Sequence, residues 1–380
     1  MKPLKYGMVG GGPGAFIGDA HRRAIALDST AEIVCGCFSR KPEKSAQMAD
    51  ILNIDPSRCY SSYQEMAAAE SAREDGIDFV VVVTPNSSHY DVCKAFLEAG
   101  INVVCDKPVT ISYESAHELE QLAAEKGLLF MVTYTYMGHV TAKYVSDLVR
   151  SGAIGDVRMV MGEYPQGWLA FEDNDGGKQG EWRMDPKQSG GVNCLGDLGT
   201  HLENAVATMT GLKIKRVLAK MDVVVPGRVL DDNDEVLVEF GNGANGILWS
   251  SQFAIGSDNS LALRIYGSAG TIEWKQEECE KVKIIGSDGT IREVHRGYAD
   301  VTEHAASYGR LPAGHTEGWL ESMGNLYRAF AKCVRAKADG TFTEDMVDYP
   351  TVKDGAEGLA FIEACLESNS NGNVWVEMGE

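Results

Sequence analysis

The stretch that most restricts what this chain can fold into is Val9-Gly10-Gly11-Gly12-Pro13-Gly14-Ala15-Phe16-Ile17-Gly18, in which five of ten residues are glycine. It follows a short apolar run over residues 6–9. It leads into Asp19-Ala20-His21-Arg22-Arg23-Ala24-Ile25-Ala26-Leu27, where alanines and aliphatics recur at helical spacing. The order is strand, turn, helix. Only glycine lets the backbone come close to a pyrophosphate, and the N-terminus of a helix offers N–H groups and the positive end of its dipole. The turn therefore reads as a dinucleotide phosphate cradle made by Gly10, Gly12, Pro13, Gly14, Ala15, Phe16 and Ile17. In strict GxGxxG register Ala15 stands third, and Gly18 comes three residues late. A glycine-rich turn without a ligand is the alternative that the surrounding pattern has to exclude.

That pattern is a regular alternation. Residues 32–38 form a second strand, and Pro42 opens a short amphipathic helix over 43–52. The run Asp78-Phe79-Val80-Val81-Val82-Val83 is almost wholly apolar, as a central parallel strand covered on both faces must be. Residues 101–105 and 128–133 are further strands, with two-faced helices at 88–98 and 113–126. A doubly wound parallel sheet is expected over residues 1–135. One more helix, at 141–151, precedes runs that alternate in twos at 234–240 and 246–253, the mark of half-buried antiparallel strands. Glycine and asparagine turns separate them, and amphipathic helices follow at 317–336 and 355–367. Residues 136–380 therefore read as a second domain, α+β, with a large open and mostly antiparallel sheet. Two domains also suit the length, since 380 residues exceed one ordinary core.

Charge and cysteine usage exclude several classes of function. A formal net charge of −20 argues against nucleic acid and anionic membrane as partners. No apolar run is long enough to span a bilayer, and no signal-peptide core precedes the first strand, so a cytoplasmic protein is expected. The nine cysteines are scattered, with no CxxC pair and no HExxH. Reduced core thiols and no metal are expected.

Three further stretches carry possible chemistry. Thr84-Pro85-Asn86-Ser87-Ser88-His89 lies at the C-terminal end of the central strand, where ligands of open α/β sheets gather; Thr84, Pro85, Asn86 and His89 join the cofactor candidates. Cys105-Asp106-Lys107-Pro108 ends the next strand, where Lys107 can point its ammonium at the nicotinamide end of a bound dinucleotide. Gly196-Asp197-Leu198-Gly199-Thr200-His201 puts a carboxylate and an imidazole four residues apart, on one side of a helical turn. A carboxylate so placed fixes the imidazole's tautomer and raises its basicity, as a proton acceptor near neutral pH requires. The second strand ends in Ser39-Arg40-Lys41, with no acid for the adenosine ribose. That leans towards NADP or tolerance of both NAD and NADP, unless Arg40 and Lys41 are only solvated loop charges.

Taken together, the glycine turn, Thr84-Pro85-Asn86, Asp106-Lys107-Pro108 and the Asp-x-x-x-His motif resemble the glucose-fructose oxidoreductase, inositol dehydrogenase and MocA (Gfo/Idh/MocA) family of NAD(P)-dependent dehydrogenases. The resemblance covers nearly the whole chain and implies a Rossmann domain followed by an open-sheet domain. The family's usual Glu-Lys-Pro is Asp106-Lys107-Pro108 here, and the acid after the second strand is Ser39. By position the resemblance makes His201 the general base, Lys107 a hydrogen-bond donor to the reacting oxygen, and Asp197 a partner of His201 or of a neighbouring substrate hydroxyl. A small carbohydrate, sugar derivative or inositol-like cyclitol is the implied substrate, with Tyr136, Trp168, Trp182, Arg183 and His315 as further lining candidates. Trp168 and Trp182 could stack on a sugar face or plug a core, and Arg183 could recognise an anion or form a surface ion pair. A homodimer or homotetramer through the second sheet is also implied. Two alternatives stay open: a glycosidase that oxidises its sugar transiently, eliminates the aglycone and reduces the sugar back, and a non-catalytic dinucleotide sensor.

Overall fold

The computed structural model describes residues 2–172 and 185–379. It divides into two compact units, residues 1–135 with 320–356, and residues 136–319 with 357–380.

In the first unit five parallel strands lie in the order β2-β1-β3-β4-β5: β1 is Leu4–Gly10, β2 Ala31–Cys37, β3 Phe79–Val83, β4 Asn102–Cys105 and β5 Phe130–Val132. All five residues of β3 are buried, as the uninterrupted valines require of a strand covered on both faces. The chain passes from β1 to β2 on one side and then returns to place β3 on the other. The carboxyl ends of β1 and β3 thus flank the point where the strand order reverses, with Gly10 opposite Val83. Helix α1, Phe16–Ala26, follows the glycine turn. The helices α2 (Pro42–Ile51), α3 (Tyr63–Ser71), α4 (His89–Glu98) and α5 (Tyr113–Lys126) connect the later strands. Ser112 caps α5 through the Ser115 N–H, and Gly127 ends it in the left-handed region.

The sequence pattern assigns everything after residue 135 to the second domain, whereas residues 320–356 pack with the first sheet. Phe79 stacks on Tyr6 at 5.5 Å and meets the edge of Phe330 at 5.4 Å, so the helix Trp319–Ala338 covers aromatic surface that β1 and β3 leave open. The Val132 N–H donates to the Pro350 carbonyl at 2.9 Å, extending the β5 edge. An amphipathic helix shows in sequence; which sheet its apolar face will meet does not.

The second unit holds nine strands in the order β13-β12-β11-β10-β6-β9-β8-β7-β14. At its centre are β6 (Val157–Pro165), β8 (Asn233–Phe240), β9 (Asn245–Ser251) and β10 (Ala262–Gly267); β11 (Gly270–Lys275), β12 (Lys281–Gly286) and β13 (Ile291–His295) continue it on one side, β7 (Ile214–Asp222) and β14 (Val376–Glu377) on the other. The sheet is antiparallel except for the β6–β9 pair. The helix Val140–Arg150 and the helix Thr200–Thr210 lie in this unit. Gly162 shows how closely the second of these packs: a Cβ there would stand 3.0–3.1 Å from Leu248, Leu263 and Leu202. The other face is less covered. Leu237 and Ile247 are paired across β8 and β9, Ile247 is opposite Met161 of β6, and both Leu237 and Ile247 are exposed.

Candidate active site

The glycine turn is built for close approach. Gly10, Gly11 and Gly14 all have positive φ, and a Cβ on Gly10 would lie 2.7 Å from the Val83 carbonyl oxygen. On Gly12 it would lie 2.9 Å from the Phe38 carbonyl oxygen. Gly18, out of strict register, still serves the helix-packing role of a third glycine, because a Cβ there would be 2.5 Å from the Gly11 Cα. Arg22 reaches back from α1 to donate to the Gly11 carbonyl at 3.0 Å. Ala15, the residue before helix α1, gives it no side-chain cap, and Phe16 at the helix start is exposed. A cradle that excludes side chains, next to an uncapped helix start, fits a dinucleotide pyrophosphate.

The other candidates of the first unit stand at the ends of adjacent strands. Ser88 Oγ donates to Thr84 Oγ1 at 2.8 Å, and Asn86 is buried. Asp106 Oδ1 accepts from the Lys107 N–H at 2.9 Å and from Thr133 Oγ1 at 3.0 Å, which fixes the turn that carries the half-buried Lys107. His89 starts α4 between the same two strand ends. Its ring nitrogens lie 2.7 and 2.9 Å from the Thr84 and Pro108 carbonyl oxygens, and the side chain is buried. Burial lowers its pKa against the pull of the Pro108 carbonyl, the Asp106 charge and the Thr84 carbonyl. Set between these two main-chain carbonyls, His89 ties the two strand-end motifs together. Ser39 accepts from the Lys41 N–H at 3.2 Å, and Arg40 and Lys41 are exposed.

In the second unit Asp197 falls in a π-helical turn, Leu195–Gly199, which runs into the helix Thr200–Thr210 carrying His201. Its wider hydrogen bond joins the Thr200 N–H to the Leu195 carbonyl, so the regular helical turn inferred from the spacing is a π-bulge. His201 is buried against two tyrosines, with ring centroids 4.9 Å from Tyr136 and 5.9 Å from Tyr164. Burial raises the pKa of both tyrosines, and the negative charge of Asp197 raises each further. The two rings that pack on His201 are thus also the ones whose hydroxyls feel the Asp197 charge. The two hydroxyls bond to each other, and Tyr164 donates to Asn259 Oδ1 at 2.6 Å. Asn259 also accepts from Gln166 Nε2 at 2.9 Å and donates to the Tyr136 oxygen at 3.1 Å. Asn259, the hub of this network, carries no mark in the sequence, because it stands 93 positions from Gln166.

Trp168 lies half-buried two residues beyond Gln166. His315 is exposed in a turn whose main chain is clamped by Arg296, which donates to the Leu311 carbonyl at 2.8 Å and to that of His315. Trp182 and Arg183 lie outside the described residues. Among the described residues one trio of potential metal ligands converges, Cys194, Asp231 and Asp234, all buried within 4.8 Å. Burial pushes the Cys194 thiol and the Asp234 carboxyl well up, and the Asp231 charge raises both as well. Both Asp231 oxygens accept main-chain N–H groups at 2.7 Å, so this carboxylate is already committed to the backbone at the start of the π-helical turn.

Residues 4–134 match the oxidoreductase family with the NAD-binding Rossmann fold, and residues 142–273 match the Gfo/Idh/MocA C-terminal domain. The chain belongs to the Gfo/Idh/MocA oxidoreductase family. Its relatives include the uncharacterized oxidoreductase YfiI of Bacillus subtilis, 35% identical over 99% of this chain and 97% of that one. The levoglucosan dehydrogenase of Pseudarthrobacter phenanthrenivorans is 25% identical, over 100% and 99% of the two chains. Among solved structures, an inositol dehydrogenase homolog of Azotobacter vinelandii in complex with NAD+ superimposes with a TM-score of 0.95 at 33% identity, covering 99% of this chain and 97% of that one. The same homolog has been solved with NADH and myo-inositol, at a TM-score of 0.92 and 32% identity over 99% and 98% of the two chains. This Gfo/Idh/MocA protein is thus an NAD-binding oxidoreductase, and the glycine cradle of its first unit has the form that cofactor needs.

Proposed function

We propose that the protein is a dehydrogenase that oxidises a secondary hydroxyl of a sugar, sugar derivative or cyclitol, with His201 as general base, Lys107 as donor to the reacting oxygen and Asp197 as partner of His201. The observation that carries this reading is the packing of the buried His201 on Tyr136 and Tyr164, whose hydroxyls also feel the Asp197 charge. Bound NAD supplies the hydride acceptor. The chain's own part is to move the proton and hold the hydroxyls. A buried imidazole with a carboxylate close by accepts a hydroxyl proton on a ring nitrogen near neutral pH. A lysine ammonium steadies the negative charge that grows on the oxygen as that proton leaves. The Tyr136, Tyr164, Gln166 and Asn259 network offers donors and acceptors in a fixed arrangement, which suits a substrate with several adjacent hydroxyls. Trp168 and His315 would line the same polyol site, and Trp182 and Arg183 belong to the reading on sequence grounds alone.

The cofactor contacts would come from Gly10, Gly12, Pro13, Gly14, Ala15, Phe16 and Ile17 at the phosphates, and from Thr84, Pro85, Asn86 and Asp106 at the strand ends. Ser39, Arg40 and Lys41 would admit NADP alongside NAD. The exposed Leu237 and Ile247 on the open sheet face support a homodimer or homotetramer through that face. The nine free cysteines suit a reducing cytoplasm, and no helix among the described residues is long and apolar enough to cross a membrane.

A panel of sugars, glycosides, cyclitols and sugar acids with NAD and NADP, read by reduced-nicotinamide absorbance together with sugar products, tests the reading. Reduced cofactor accumulating with an oxidised polyol is expected. Aglycone release without net cofactor turnover would instead make the protein a glycosidase. Lys107→Ala and His201→Ala are each expected to lower turnover by roughly 1000-fold or more with NADH binding retained. Near-normal activity in either variant removes its residue from the chemistry.

A further inference from the structure

The second unit contains a directed chain of amide groups that ends on Asp197. Gln252, just past β9, is fully buried. Its N–H donates to the Asp232 carbonyl at 2.9 Å and its carbonyl accepts from the Leu169 N–H at 3.1 Å, so its backbone is tied down on both sides. In the side chain, Oε1 accepts from Asn193 Nδ2, and Nε2 donates to Asp197 Oδ2 at 3.2 Å. Asn193 Nδ2 donates a second time, to the Asp231 carbonyl at 3.2 Å.

This chain can run in only one direction. A main-chain carbonyl accepts and never donates, so Asn193 must turn its amide nitrogen to Asp231. Gln252 must then offer oxygen to Asn193 and nitrogen to Asp197; a flipped amide would set nitrogen against nitrogen at one end and oxygen against carboxylate at the other. The start of the π-helical turn is fixed by the same residue. The Asp231 carboxylate accepts the Asn193 and Leu195 N–H groups, and its carbonyl accepts that of Cys194 at 3.2 Å.

We propose that Gln252 is the positioning residue of Asp197, holding Oδ2 of that carboxylate as a hydrogen-bond acceptor in one orientation beside His201 and the two tyrosines. The role rests on the reading of Asp197 and His201 as the acid–base pair. A donated N–H favours the ionised carboxylate. Among the described residues, the titratable groups linked to this site are Tyr136 and Tyr164, which feel the Asp197 charge, His201, which packs on both, and Asp231, beyond Asn193.

Gln252→Leu removes the donor at similar volume, and Gln252→Glu keeps the shape while setting a second carboxyl against Asp197. Gln252→Met carries the comparison should the Glu variant fail to fold. The first readout needs no substrate: the Asp197 carboxyl resonance of aspartate-labelled full-length protein, assigned through Asp197→Asn, is titrated in each variant. Its midpoint is expected to rise in Gln252→Leu or Gln252→Met, and further in Gln252→Glu. The second is the pH profile of myo-inositol oxidation, or of the polyol turned over fastest in the panel. There kcat is expected to fall roughly 10- to 100-fold, the range for one hydrogen bond to a charged group, with KM changed less and the acid limb moved to higher pH. NADH affinity, measured by fluorescence, is expected to stay at the wild-type value. A folded variant whose Asp197 midpoint matches wild type overturns the proposal, whatever its activity. Retained turnover in His201→Ala would instead remove the acid–base reading and leave the titration result standing, so the two failures are distinguishable.

Discussion

The two units reach their candidate chemistry by different means. In the first, the recognition surface is main chain: positive-φ glycines, carbonyls at strand ends and the start of α1. In the second it is side chains, with Tyr136, Tyr164, Gln166, His201, Gln252 and Asn259 brought together from five elements or loops. A backbone cradle needs only that nothing protrude, and a short run of sequence can specify that. A side-chain network needs each partner set by a different part of the fold. Substitutions should therefore act sharply and locally in the first case, and by degrees in the second.

The largest effect that would break this contrast is expected at Gly10. Gly10→Val puts a β-branched side chain at φ +90° and within 2.7 Å of the Val83 carbonyl oxygen. Weakening of NADH binding by roughly 1000-fold is expected by fluorescence titration, from combined strain and overlap. Binding within tenfold of wild type would mean that the cradle is not where the pyrophosphate lies.

Acidification separates the cores of the two units. Burial lowers the His21 pKa to about 4, with the Asp106 charge opposing and Arg22 assisting. Its folded pKa is below the unfolded value, so the unfolded chain binds the extra proton first. That contribution is present above about pH 6.5 and is lost as pH falls towards 4, by at most roughly 3 kcal/mol. Asp234 has the opposite sign, because burial and the Asp231 charge raise its pKa. Its contribution is present below the ordinary carboxyl pKa and is lost as pH rises above it. Urea unfolding across pH should show His21→Gln flattening the acid side and Asp234→Asn improving stability at neutral pH; unchanged slopes would contradict both assignments.

The smallest effect is expected at the tyrosine hub. Asn259→Ala unties the Tyr136, Tyr164 and Gln166 groups while leaving each in place. A fall in kcat/KM of about tenfold, near 1.4 kcal/mol, is expected with NADH affinity unchanged. A loss as complete as that of His201→Ala would mean that the hub takes part in the chemistry itself.

Legibility in sequence follows the same division. The parallel strands, the glycine turn and the helix starts show in local spacing, since each is fixed by neighbours within a few residues. Gly18 shows the limit: its close contact with Gly11 depends on the angle at which α1 leaves the turn. His89 has the residue type and place of a ligand contact, and only the fold brings Pro108 to its second nitrogen. The π-bulge at Leu195–Gly199 leaves no mark in a four-residue spacing.

By itself the sequence determined the parallel sheet, the place of its glycine turn and the four-residue spacing of Asp197 and His201, because periodicity, glycine φ and short spacings act over a few residues. The tertiary structure alone decided that residues 320–356 complete the first sheet, that His201 lies on two tyrosines, and that Asp231, through Asn193 and Gln252, fixes how Asp197 is held. Those outcomes depend on burial and on the one-way logic of donors and acceptors, which act only between groups that folding has already brought into contact.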